Sequence, residues 1–223
     1  MDDRLTPLLY VEMSALGAGE YEHDRVPLLA AQAGVERVWW GTNARPGRTD
    51  LPRRLDECAV LGLAEVTAGF APPAEAGGSF LFRRTARPGQ GVLTGRPTTG
   101  VLLVLISPRD PGDAQALRDW ADFVHIRHIA AAAVPGYSMI TPYERVDGSS
   151  EPEPRFMHLY EIDEGDPEQV FQSMVPRVVA RLGRPGTPAF DEWAGHPALR
   201  IEYVSTFCMS GCMSGSRSAG AHG

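Results

Sequence analysis

The chain has 223 residues, a formal charge of −7, and a composition 43% hydrophobic and 22% charged, the profile of a globular protein with one or two domains. The net acidity argues against a nucleic-acid partner, and no apolar run approaches the ~18 residues of a membrane span. Every basic residue is Arg, which excludes a Schiff-base or nucleophilic lysine.

In chain order, the apolar run at 8–13 predicts a strand. Residues 19–33 predict a helix, ended near Gly34. Strands follow at 35–41 and 58–67, around a polar loop at 42–54. Residues 72–87 are ambiguous between loop and a shortened helix, and 91–96 is read as a fourth strand. The continuous apolar run at 101–107 predicts a buried strand. A helix at 113–134 runs between Pro111-Gly112 and Pro135-Gly136. Strands at 137–146 and 155–163 flank an acidic, Pro-rich loop. A helix at 167–182 carries Pro in its first turn. Residues 184–197 read as irregular, 199–207 as an alternating strand, and 209–223 as a disordered Ser/Gly-rich tail.

Met1-Asp2-Asp3-Arg4 lacks the basic start and apolar stretch of a secretory signal, so a cytoplasmic protein is expected. Cys58, Cys208 and Cys212 then predict no disulfide. No zinc-type ligand set accompanies them, and there is no P-loop, dinucleotide fingerprint or nucleophile elbow. Neither a metal nor an organic cofactor is expected.

The chain repeats itself. Glu20-Tyr21-Glu22-His23-Asp24-Arg25-Val26-Pro27, with Gly34 beyond, lines up with Asp122-Phe123-Val124-His125-Ile126-Arg127-His128-Ile129 and Gly136. Val60-Leu61-Gly62-Leu63-Ala64-Glu65-Val66 lines up with Phe156-Met157-His158-Leu159-Tyr160-Glu161-Ile162. The expectation is two α+β repeats, 1–97 and 98–208, each a ferredoxin-like (split βαβ) unit. Their antiparallel sheets would pack face to face as a dimeric α+β barrel within one chain, enclosing a hollow. The resulting pseudo-dimer could pair again as a homodimer.

Arg25-Val26-Pro27-Leu28-Leu29 with Gly34, Val134-Pro135-Gly136 and Met157-His158-Leu159-Tyr160-Glu161 resemble the dimeric α+β barrel superfamily, most closely its EthD-like branch. The resemblance implies polyketide cyclases, isomerases, decarboxylases, cofactor-free monooxygenases and haem-binding enzymes as relatives. Arg25 and Arg127 stand where that branch usually places His.

The candidate site follows from strand alternation. Phe156, His158, Tyr160 and Ile162 share one face of their strand. Gly62 and Ala64 leave space at the matching positions of the other half. His158 or His125 is read as the acid/base, since imidazole titrates near neutrality. Tyr160 and Arg127 would stabilise enolate charge. Arg25, His23, His128, Trp39 and Tyr143 would hold the substrate, Arg as an anion clamp and the aromatics as walls. The functional expectation is cofactor-independent proton-transfer chemistry (cyclase, isomerase or decarboxylase) on a hydrophobic, anionic aromatic or polyketide-like molecule. A cofactor-free monooxygenase, a haem enzyme and a non-catalytic binding module are the alternatives.

Overall fold

A computed structural model describes residues 7–73, 78–87, 89–146 and 154–214. Its strands are β1 (Leu8–Ser14), β2 (Val35–Asn43), β3 (Val60–Val66), β4 (Ser79–Arg84), β5 (Gln90–Gly91), β6 (Gly100–Pro108), β7 (Tyr137–Arg145), β8 (Phe156–Ile162) and β9 (Leu199–Ser214). They run in the order β4-β1-β3-β2-β9-β6-β8-β7, and a β4–β7 ladder closes the ring. Each of these pairings is antiparallel. The short β5 pairs with Met139 and Ile140 of β7, on from the stretch of β7 that pairs with β4.

This closed eight-stranded antiparallel barrel corrects the expectation of two ferredoxin-like repeats with separate sheets stacked face to face. The ladders β2–β9 and β4–β7 hydrogen-bond one half of the chain to the other, so among the described residues the eight long strands form one closed sheet. The first half also lacks a second helix among its described residues. Where a shortened helix was considered, Phe80 and Phe82 alternate with Leu81 and Arg83 and bury both rings. Period-two burial therefore makes β4 there, and the strand read at 91–96 shrinks to β5. The irregular stretch 184–197 contains a short helix, Pro188–Ala194. β9 runs past 208 to Ser214 because β2 supplies it with a partner. The remainder of the predicted tail, 215–223, lies outside the described residues.

Strand alternation fills the barrel. Leu9, Val11 and Met13, Leu61 and Leu63, Phe80 and Phe82, Val101, Leu103 and Leu105, Met157 and Leu159, Tyr143, Tyr203 and Phe207 form one interior cluster. The alternate positions face outward and are covered by helices, so β6 and β8 are buried on both faces. In the first half, Tyr21, Val26 and Leu29 of the helix over residues 18–30 cover Tyr10, Val38, Trp40 and Ala64. In the second half, Ile126 and Ile129 join the long helix Pro167–Leu182 and Phe190 and Trp193 over Leu102, Ile140, Tyr160 and Ile162. Gly62 has a specific use here. A Cβ at that position would lie 1.8 Å from the Tyr21 hydroxyl, so only Gly lets the first helix seat.

Both covering helices contain a π turn, Tyr21–Arg25 and Ala121–His125. These turns correspond at a spacing of 100 residues, whereas the sequence match of Arg25 with Arg127 uses 102. The equivalent of Arg25 is thus His125, and Arg127 falls on the exposed side of its helix. No helix among the described residues is long and apolar enough to cross a membrane.

A candidate active site at the open end of the barrel

The apolar interior gives way at one end, where β1 and β6 begin and β3 and β8 finish. The next inward positions after Leu63 and Leu159 are Glu65 and Glu161. They are 4% and 1% exposed. Around Glu161 opens a cavity of about 710 Å³, in the range of small-molecule sites. Its walls are Arg37 and Trp39 of β2, Met209, Gly211 and Cys212 of β9, and Gly95, Arg96, Pro97 and Thr98 of the connection from β5 to β6. Gly211 is needed because a Cβ there would meet the Trp40 ring at 2.3 Å.

The connection is held against the end of β8. Thr94 bonds to Asp163. Arg96 pairs with Glu164 at 2.6 Å and with Asp163 at 3.5 Å. Thr98 Oγ1 donates to Glu161 Oε1 at 3.1 Å, a bond that orients this carboxylate in the cavity wall. Glu65 is less well satisfied. Its Oε2 lies 3.8 Å from Arg37 Nε, and its buried Oε1 has no hydrogen-bond partner. Burial pushes its carboxyl up to about 7; Arg37 opposes the shift, while Glu36 and Glu161 add to it. Two carboxyls at one barrel end, one of them titrating near neutrality, is an arrangement suited to proton transfer.

The residues predicted from sequence lie elsewhere, with one exception. Trp39 lines the cavity. His158 and Tyr160 face outward beneath helices, not into a hollow shared by the two halves. His158 Nε2 is 3.1 Å from Asp122 Oδ1, and Arg87 Nη1 donates to the other oxygen of Asp122 at 2.9 Å. The gap beside them leaves no room for a water molecule. Tyr160 packs on Tyr137 at 5.5 Å, and burial raises its hydroxyl pKa. His125 is held between Trp120 at 5.1 Å and a parallel Trp193 at 5.3 Å. Its Nδ1 is 3.0 Å from the Trp193 carbonyl. Burial pushes this imidazole down to about 4, so it is neutral at physiological pH. His196 joins the same cluster, 5.7 Å from Trp120.

Arg25 is occupied by a partner within the fold: its Nε donates to both Glu12 oxygens at 2.8 and 3.0 Å. His23 and Arg127 are exposed, and His128 is half-buried in its helix. Tyr143 belongs to the packed barrel interior. The constellation of His158, His125, Tyr160 and Arg127 is therefore not brought around one cavity. Sequence reasoning missed Glu65, Glu161, Arg37 and Thr98. The signal was available: Glu65 and Glu161 occupy matching places in the two repeated strands. Among the described residues no three His, Cys, Asp or Glu side chains converge as metal ligands.

No family model and no curated protein matches the chain. Solved structures do. An anthrone oxidase-like protein is similar over 96% of this chain and 94% of its own, with 12% identity and a TM-score of 0.57. At that identity the likeness shows a shared fold, a β-barrel of α+β type. A candidate monooxygenase from Fusobacterium nucleatum subsp. nucleatum covers 95% of both chains at 7% identity and a TM-score of 0.47. A major regulator of staphylococcal pathogenesis covers 90% of this chain and 98% of its own at 8% identity and 0.48.

Proposed function

We propose that the chain is a small-molecule oxygenase or oxidase in which Glu161 removes a proton from a weakly acidic C–H group of an aromatic substrate. The observation that carries this reading is the buried Glu161 carboxylate in the wall of the 710 Å³ cavity, with the neutral-range carboxyl of Glu65 at the same barrel end. The shared fold with an anthrone oxidase-like protein supports oxygen as the second reactant.

The C–H bond breaks, the proton goes to Glu161, and the electron pair stays on carbon, delocalised into the ring system. That carbanion passes electrons to O2 and a C–O bond forms, giving a hydroperoxide. Loss of the second C–H proton breaks the O–O bond. A CH2 group plus O2 becomes a ketone plus water, and the Glu161 proton leaves with the water. The cavity wall combines Trp39, Pro97 and Met209 with the charged Arg37, Arg96 and Glu161, which suits an aromatic substrate that develops charge. The repeated sequence motifs support descent of the two halves from one unit.

The test is oxygen uptake with anthrone as the probe substrate, measured against its uncatalysed autoxidation. The expected result is enzyme-dependent consumption of one O2 per anthrone with formation of the ketone. Exchange of the CH2 hydrogens with D2O but no oxygen uptake would assign proton transfer alone, the chemistry of an isomerase, cyclase or decarboxylase. Neither uptake nor exchange would remove the enzyme reading for this substrate class.

A further inference from the structure

Arg37 is a cation in the cavity wall whose side chain is 44% exposed, so its guanidinium is open to a ligand. It stands two residues before Trp39 on β2, and its guanidinium lies 5.7 Å from the Trp39 ring centroid. Its acid neighbour Glu65 is 3.8 Å away, beyond hydrogen-bond reach, and stays largely protonated below about 7. The other cation of the cavity, Arg96, is already matched by Asp163 and Glu164. Glu161 is engaged by Thr98. Glu65 itself is buried and does not line the cavity, so Arg37 and Trp39 are the groups that meet a ligand there.

We infer that Arg37 and Trp39 form a subsite for an aromatic oxyanion, a ring bearing a carboxylate or phenolate. The ring lies against Trp39, and the charged oxygens take the guanidinium hydrogens of Arg37. This assignment rests on reading the cavity as the substrate site and specifies the substrate's charge and where it is held.

The test is calorimetric binding of salicylate and of its neutral analogue 2-hydroxybenzyl alcohol to the full chain. Wild type should prefer salicylate. Arg37→Gln should weaken salicylate binding about tenfold, the loss of one charge-assisted contact, and leave the alcohol unchanged. Arg37→Lys keeps the charge and should keep the preference, which separates charge from folding defects. Trp39→Leu should weaken both ligands. Salicylate binding that is equal in wild type and Arg37→Gln, or a wild type that binds neither ligand, overturns the inference. Because binding is read without turnover, an absence of oxygen uptake would leave this subsite standing. A wild type that takes up oxygen but shows no preference for salicylate would remove the subsite alone.

Discussion

Glu161→Gln should lower the rate of oxygen uptake by about 10²–10⁴-fold, the usual worth of a placed general base. Gln keeps the shape of the side chain and an oxygen to accept from Thr98 Oγ1, which now bonds to Glu161 at 3.1 Å. The cavity wall should therefore be preserved, and binding of an aromatic ligand should persist while turnover falls. The loss should appear in kcat and kcat/KM together, the pattern of an interaction made in the transition state. The variant also removes one of the charges that raise the Glu65 carboxyl, so the titration of Glu65 should move down. Unchanged oxygen uptake in a folded Glu161→Gln protein would remove Glu161 from the mechanism.

Glu65→Gln should stabilise the protein above neutral pH. The carboxyl is raised from 4.5 to about 7 in the fold, so the native state holds its proton more tightly than the unfolded chain does. The contribution to stability is fully present below the unfolded value and is lost as pH rises from about 4.5 through about 7. Each unit is worth about 1.4 kcal/mol, so ionisation of wild-type Glu65 costs roughly 3 kcal/mol by pH 8. Gln carries no such cost. At pH 8 the variant should unfold roughly 6–12 °C higher than wild type, given the usual scaling for a chain of this size, and the gap should close toward pH 5. Thermal unfolding across that pH range checks it. A variant less stable than wild type at pH 8 would contradict the assignment.

Much of the strand pattern is legible in the sequence. The runs at 8–13, 101–107 and 155–163 are apolar enough that no other element competes, and the observed β1, β6 and β8 overlap them. Closure of the barrel is not legible, because the β2–β9 and β4–β7 ladders join residues far apart in sequence through backbone bonds that leave no side-chain signature. The inside of β8 was also hidden. Alternation separates Phe156, His158 and Tyr160 from Met157, Leu159 and Glu161, but a strand covered on both faces has no solvent side to name the inner one. The polar face of His158 and Tyr160 reads as the hollow in sequence; it is the face beneath the helix, where Asp122, itself held by Arg87, satisfies His158. Arg127 was misplaced for a local reason. The π turn at Ala121–His125 adds a residue to the helical repeat, and a straight α-helical projection cannot anticipate it. The sequence does contain Glu65 and Glu161 at equivalent places in two largely apolar strands, where a carboxylate at a buried end is costly without a purpose.

The most direct measurement is infrared difference spectroscopy of the carboxyl C=O stretch between pH 5 and pH 9, on wild type and Glu65→Gln. Wild type should show a buried, protonated carboxyl that disappears with a midpoint near 7 and is missing from the variant. If no carboxyl titrates above the ordinary acid range, or if the band persists in Glu65→Gln, the proton-handling pair at the barrel end does not exist.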